Sequence, residues 1–432
     1  MTRKITFIHA ADLHFGAPTR GFSDLSPEWE ARLIESVPEA YDRVIDAALA
    51  HDVDFVIMAG DEFDTARASY RDFMHFLGGL ARLDAAGIPT YLIAGNHDPF
   101  TTWSDVVGAL PPSAHFIGGE APEFRLYDRD GEPLCLIGGR GYRNQSWPID
   151  EPIAEGISRR AAVKALELAN PRAAEAPFMV GVIHTALNPD QSKAYSDVGF
   201  LLSADVDYWA CGHLHERCVL PSQGDPRIVF PGCIQGRDLK ESESRGCYLV
   251  EMDEAAGASR PRVSLEFIPT ASVVFHTIKA DVARCKTIAD VGQLVQSQLF
   301  HENGHDHCEN MVVRIVLEGQ TDLHEYLNKP DVLANIRKRI NDAYPTFYCD
   351  ELVDRTTPKR DRASMKREGL FAAQVLGVSD EQLADDDMMV NYVQDEFVKR
   401  GIGVPSSLSH HISDYGNRAE TIVLDLLEEE SE

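Results

Sequence analysis

The stretch IPTYLIAGNHDPF, residues 88–100, begins as an apolar run of strand length and ends on three consecutive polar side chains, Asn96, His97 and Asp98. A buried strand followed by Gly ordinarily stops in a plain turn. Ligand-capable side chains at that place open two readings: an Asn-rich turn, or one piece of a reaction centre assembled from distant parts of the chain. The same pattern recurs along the sequence. ITFIHAADLH (5–14) ends on Asp12 and His14, and VDFVIMAGDEFD (53–64) ends on Asp61 and Asp64. APFMVGVIHT (176–185) carries His184 near its end, and DVDYWACGHLH (205–215) ends on His213 and His215. Ligands of open α/β sheets bind at the carboxyl ends of strands, so five such clusters are expected to converge on one rim. Alternate residues of an extended chain point the same way, which lets each D-x-H or H-x-H pair clamp a common site. A single strand-end His is more often a satisfied core histidine. His9, His51, His75, His115, His276 and His324 are assigned to that class. An ordered set of five clusters is not accounted for that way.

Between the clusters, strand-like and helix-like segments alternate. Val44, Ile45, Ala48 and Leu49 make a helical stripe within 39–52; further helices are expected at 70–87, closed by Gly, and at 158–170. Strands are expected at 132–142, 227–236 and 245–253, so the fold is α/β with a strand-rich later part, which suggests two packed sheets. Composition loosens at EAAGASRPR (254–262). Extended chain at 263–281 then leads into a helix (287–300), a strand (310–319), a helix (331–345) and a strand (346–354), a small β-α-β-α-β module. Helices and loops follow, with Met388, Met389, Tyr392, Val393 and Phe397 at helical spacings inside one expected helix, 380–401. The domain expectation is 1–268, 269–356 and 357–432.

A chain of 432 residues is too long for one core. Its 44% apolar and 25% charged residues are those of a globular protein, and no apolar run reaches the ~18 residues a membrane span needs. Eight Cys without framework spacing fit a reducing compartment, so a cytoplasmic location is expected. A net charge of −28 argues against a protein that coats nucleic acid by bulk attraction. The charge is uneven, however. Residues 379–432 hold 14 acidic against 3 basic residues, while RKR (337–339) and PKRDRASMKR (358–367) are locally basic, so a local polyanion site is not excluded. Lys359, Arg360 and Arg362 are candidate phosphate contacts, or else part of a solvated linker. Arg20, in the loop FGAPTRGFSDLSPEWE (15–30), is a further candidate for gripping substrate. HENGHDHCEN (301–310) is read as a solvated loop rather than a metal site. Cys211 and Cys218 flank GHLHE without a second Cys pair, so no zinc site is expected there.

The ordered set DLH (12–14), GDEFD (60–64), GNHD (95–98), HT (184–185) and GHLH (212–215) resembles the calcineurin-like metallophosphoesterase superfamily. HAADLHFG, VDFVIMAGDEFD and the PGCIQGRD that follows GHLH are similar, more narrowly, to the SbcD-like DNA double-strand-break repair exonucleases. The motifs cover about residues 1–250; the remainder matches only in layout. The resemblance implies a two-sheet metallophosphoesterase sandwich flanked by helices, a small α/β capping domain that guides DNA, and a helical C-terminal tail. It implies two divalent metal ions. Asp12, His14 and His215 would hold one, Asn96, His184 and His213 the other, with Asp61 bridging. Oxygen and imidazole donors without thiolate suit hard or borderline ions, Mn2+ foremost, without excluding Fe or Zn. Asn96 would supply an oxygen ligand without adding negative charge. His97 would contact the phosphate and assist the leaving oxygen, with Asp64 orienting it, although some nucleases of this branch carry His in place of that Asp. Asp98 is expected to cap the turn. The function implied is metal-dependent exonucleolytic hydrolysis of duplex DNA ends in repair, leaving endonuclease activity open. Implied partners are an SMC-like coiled-coil ATPase of SbcC type, docked by the tail helices, and a second copy of the chain. The alternatives are a small-molecule or cyclic-nucleotide phosphodiesterase, or a non-catalytic DNA-end-binding scaffold.

Overall fold

The structure is a computed structural model that describes residues 3–22, 25–64, 67–103, 107–148, 150–187, 193–254, 260–306, 309–360, 362–367, 371–400, 408–410 and 412–429. The chain begins with four parallel strands of one sheet: β1 (Lys4–Ala10), β2 (Phe55–Met58), β3 (Thr90–Ile93) and β4 (Ala114–Ile117). It then builds a second sheet from β5 (Glu123–Arg129), β6 (Glu132–Arg140), β7 (Phe178–His184), β8 (Tyr208–Gly212), β9 (Cys218–Leu220) and β10 (Ile228–Phe230). Their order is β5-β6-β7-β8-β10-β9, with β6, β7, β8 and β10 parallel. Finally β11 (Gly246–Asp253) and β12 (Arg262–Pro269) return to the first sheet as antiparallel strands, giving β12-β11-β1-β2-β3-β4.

The period-2 alternation of strand side chains explains how the two sheets stack. Phe178, Val180 and Val182 of β7 enter one core with Ile5 and Phe7 of β1 and Phe55 and Ile57 of β2, which is the layer between the sheets. Phe7 and Phe55 stack there with ring centroids 4.8 Å apart. Met179 and Ile183 point the other way, into a core with Trp209 and Ala162. Ile8, Ala10, Val56 and Met58 likewise face away from the second sheet, under the helices α1 (Pro27–Ala50) and α2 (Tyr70–Ala85). Strands buried on both faces read as continuous apolar runs, which is why these stretches stood out in the sequence. Register is fixed by the same pattern: a one-residue slip of β7 would exchange its two faces.

Several elements differ from expectation. The first helix does not begin at residue 39 but at Pro27, capped by Ser26, whose side chain accepts the Trp29 N–H at 3.3 Å, and it runs through Pro38. The loop expected over 15–30 is therefore shorter, and Trp29 is buried with Val273, Phe275 and Tyr348. The extended run 263–281 is two strands of different sheets, β12 and β13 (Val273–Asp281). Residues 301–306, expected in a loop, complete the helix Ile288–Asp306; His307 and Cys308 lie outside the described residues. The helix expected over 380–401 is broken, because the Asp385 side chain accepts the Met388 N–H at 3.0 Å and starts a new helix, Asp386–Lys399.

The chain forms two compact units. One comprises Met1–Ile278, Gln296–Ile315 and Arg337–Leu352; the other comprises Lys279–Val295, Val316–Ile336 and Val353–Glu432. After the sandwich, β13, β14 (Asn310–Thr321) and β15 (Phe347–Pro358) form a three-stranded sheet in that order. Helices Phe371–Leu383, Asp386–Lys399 and Ile412–Glu429 follow.

Candidate metal centre

The parallel runs β1-β2-β3 and β7-β8 end at one place, and the loops leaving them are knitted together by their backbones. Asp12 N–H donates to Gly60 O at 3.0 Å and His14 N–H to Asp61 O at 2.9 Å. Two of the glycines preceding the polar residues are required by close approach. A Cβ on Gly95 would stand 2.1 Å from Asp61 Oδ1, and one on Gly212 would stand 2.2 Å from Ala59 O. The backbone itself bends sharply here. Asp12, His14, Asp61 and His213 have φ of 53°, 55°, 58° and 99°, a left-handed region that non-glycine residues rarely enter. This corrects the expectation that D-x-H and H-x-H pairs converge because the chain is extended. They converge through left-handed turns, and such strain persists only where the surroundings over-determine it.

All seven candidate ligands meet. Oxygen or nitrogen atoms of Asp12, His14 and His215 lie within 4.8 Å of one another, as do those of Asp12, Asp61 and His184. His213 Nδ1 lies 3.1 Å from Asn96 Oδ1. Both Asp12 oxygens accept the His213 N–H, at 3.2 and 3.0 Å. Asp61 Oδ1 accepts the His97 N–H at 2.7 Å, which leaves Oδ2 facing His184 Nε2 at 3.3 Å and His14 Nε2 at 3.8 Å. The donor chemistry fits divalent cations. His184 Nδ1 is committed to Ala59 O at 2.9 Å, while its buried Nε2 has no partner in hydrogen-bond geometry. His14 Nε2 faces His215 Nε2 at 3.1 Å. Two neutral imidazoles cannot present bare lone pairs to each other at that distance unless a proton or a cation lies between them.

Electrostatics separates the imidazoles. Burial disfavours charge on His184, but the Asp61 carboxylate overrides it and lifts the ring to about 9. Burial opposes ionisation of Asp61 too, yet His184 and the neighbouring rings hold it well below the usual carboxylate range. Burial and the adjacent His184 push His213 down to about 3, and burial lowers His14 strongly. His14 and His213 are thus in the neutral form a metal ligand needs, whereas His184 must release a proton, and Glu241 and Asp12 raise His215 against its burial as well.

His97 stands apart from its neighbours. Asn96 and Asp98 are buried, whereas His97 is exposed, with its ring edge-on to His14 at 4.9 Å between centroids. Asp98 does cap the turn, its Oδ1 accepting Gly95 N–H at 2.8 Å, and it does more. Its two oxygens also accept the N–H groups of Asp61, Glu62 and Phe63, at 3.2, 2.8 and 3.2 Å. Asp64 is buried on the neighbouring loop, its carbonyl accepting from Arg67 and Ala68. Arg20 is exposed, and its N–H donates to Arg237 O at 3.0 Å.

Three cations of the basic stretch are engaged within their own unit. Lys359 pairs with Asp322 at 2.9 Å; Arg362 pairs with Asp380 at 2.5 Å and also with Glu420; Lys366 pairs with Asp380 as well. Arg360 has partners of its own. Sequence reasoning missed Glu241, whose Oε1 lies 2.5 Å from His215 Nδ1, and Arg237, which bonds to Glu241. Both lie beyond a strand end, in a charged run with no periodicity; PGCIQGRD contains Arg237 and stops three residues short of Glu241.

Comparison with known proteins agrees with this architecture. The calcineurin-like phosphoesterase family matches residues 5–217, and the middle domain of metallophosphoesterase YhaO matches residues 275–357. An uncharacterized metallophosphoesterase YhaO of Bacillus subtilis is 30% identical over 328 residues, 74% of this chain and 73% of that protein. A DNA double-strand break repair protein Mre11 of Thermoplasma acidophilum is 30% identical over 244 residues, 54% of this chain and 57% of its own. A Mre11 of Haloferax volcanii is 34% identical over 297 residues, covering 67% and 57% respectively. With the matched family domain spanning the strands that carry the centre, the chain belongs to the calcineurin-like phosphoesterase family, whose members hydrolyse phosphoester bonds with divalent metal ions.

Proposed function

We propose that this chain is a two-metal phosphodiesterase that degrades DNA from duplex ends in DNA repair. The observation that carries the reading is the exposed His97 beside seven buried or half-buried ligands, at the end of β3 in a chain related to proteins named for double-strand break repair. Asp12, His14 and His215 would hold one ion and Asn96, His184 and His213 the other, with Asp61 contributing to both sets. When bound, divalent ions supply Lewis acidity that activates water and offsets phosphate charge, and Mn2+ suits this donor set. His97, outside the ligand set, holds the phosphate and gives a proton to the leaving oxygen, and Asp64 orients its ring. Residues 269–356 guide the duplex. The 357–432 tail docks an SMC-like coiled-coil ATPase of SbcC type. The exposed Tyr392 and Val398 of Asp386–Lys399 and Phe371 and Val378 of Phe371–Leu383 supply an apolar surface for that contact. A homodimer and a cytoplasmic location complete the reading. In its support, no described helix is long and apolar enough to cross a membrane, and the seven described cysteines are free thiols.

The test is digestion of end-labelled linear duplex DNA with and without Mn2+. His97→Ala should lower the rate by a factor of about 10²–10⁴, while calorimetry still finds both ions bound. Hydrolysis of a chromogenic diester or of cyclic nucleotides alone would sink the nuclease reading and leave a small-molecule phosphodiesterase. End binding without any hydrolysis would leave a scaffold.

A further inference from the structure

We infer that Glu241 is the positioning residue of the centre, fixing His215 in the tautomer that turns Nε2 toward the metal, with Arg237 holding Glu241 in place. The inference rests on the metal reading above and deepens it. His215 Nδ1 lies 2.5 Å from Glu241 Oε1 and 3.1 Å from Arg237 Nη2. Nδ1 cannot both accept from the guanidinium and donate to the carboxylate. A bare Nδ1 would place its lone pair against a carboxylate lone pair at the shorter of the two distances, so the proton is on Nδ1 and the bond runs to Glu241. In the neutral ring Nε2 is then the bare nitrogen, and it faces His14 Nε2 at 3.1 Å and Asp12 Oδ1 at 3.9 Å.

Glu241 is itself held on both oxygens. Arg237 N–H and Nε donate to Oε2 at 2.8 and 3.3 Å, and Arg237 Nη2 donates to Oε1 at 3.0 Å. Asp238 closes the turn between them, accepting the Glu241 N–H on its carbonyl at 3.1 Å. The backbone of His215 is pinned as well, its carbonyl accepting from Cys233 N–H and the buried Arg245. Cys233, His215 and Glu241 offer ligand atoms within 4.8 Å of one another, but a cation there would sit against the Arg237 guanidinium already on that carboxylate. The group is an orienting device rather than a third metal site. A carboxylate behind a ligating imidazole fixes the ring and raises its basicity.

Two readouts test this. In metal-free protein, at a pH high enough for the ring to be neutral, ring 15N shifts should show His215 with a protonated Nδ1 and a bare Nε2, and Glu241→Ala should populate the other tautomer. In Mn2+ titration calorimetry, Glu241→Ala should weaken one of the two sites by about 10–100-fold, with Glu241→Asp recovering part of the loss. kcat should fall at limiting Mn2+ and recover at saturation, with KM for DNA little changed. Because Glu241→Ala can disturb the fold, the near-isosteric Glu241→Gln is measured alongside it, with melting temperatures. Wild-type ring shifts and Mn2+ affinity in both variants would overturn the inference, as would losses that track unfolding alone. If wild-type protein binds no Mn2+, the metal reading fails, while the ring shifts still decide the role of Glu241.

Discussion

Asn96, His97 and Asp98 are consecutive, yet each faces a different environment. Asn96 is buried against His213, Asp98 is buried under four backbone N–H groups, and His97 between them is exposed. A tight turn after β3 makes this division possible, and Gly95 makes the turn possible by letting Asp61 approach. His184 contributes a pH dependence to the same cluster. Its value of about 9 lies above that of free histidine, so in metal-free protein its pairing with Asp61 stabilises the fold fully below pH ~6.5 and loses that contribution as pH rises through about 9. Metal competes for the same Nε2, so the sign reverses for loading: affinity for Mn2+ should climb with pH up to about 9. Calorimetry at pH 7 in buffers of different ionisation enthalpy should report proton release on loading, about one of it from His184. Release of no proton would mean that His184 is already neutral and that the Asp61 pairing is overstated.

Asp98 joins two elements rather than serving one turn. Its Oδ1 binds the loop after β3 and both its oxygens bind the loop after β2, so it sets the spacing of Asn96 from Asp61. Asp98→Ala leaves four buried amides without their acceptor and should destabilise by about 3 kcal/mol or more, read from urea unfolding. Asp98→Asn should be nearly as damaging, since its NH2 group would face N–H donors. An Asn variant of wild-type stability would show that one oxygen suffices. This double role was not legible in the sequence, where Asp98 reads as a cap. What was legible follows from burial on both faces: β1, β2, β3, β7 and β8 are nearly pure apolar runs, and their ends gave all seven candidate ligands. The missed strands β4 (AHFI), β5 (EFRLYDR) and β9 (CVL) are short or half-exposed, so no apolar run marks them. The first turns of α1 were hidden by Pro38, which ordinarily ends a helix. Glu241 was invisible for another reason: its partner His215 is 26 residues away, and no periodicity links a carboxylate to the ring it orients.

Across the whole molecule, charge works against DNA. The chain carries −28, and three of the cations that sequence composition offered for phosphate are already answered by acids: Lys359 by Asp322, Arg362 by Asp380 and Glu420, Lys366 by Asp380. Exposed pairs of this kind contribute little to stability. Each nonetheless lowers the gain from neutralising a phosphate, because a carboxylate must be left behind. Arg20 differs in the backbone bond that seats it beside Arg237, whose guanidinium reaches the His215 ring. The isolated chain should therefore bind duplex DNA weakly, with a slope of log affinity against log salt shallower than about −4. Fluorescence anisotropy with the His97→Ala variant, which prevents digestion during the measurement, gives that slope directly. Arg20→Ala should flatten it by about one phosphate, whereas Arg362→Ala and Lys366→Ala should leave it unchanged. A slope steeper than about −6 that falls on removing Arg362 or Lys366 would mean that DNA displaces Asp380 and Glu420 from those cations. The basic stretch, rather than the edge of the metal centre, would then be the grip.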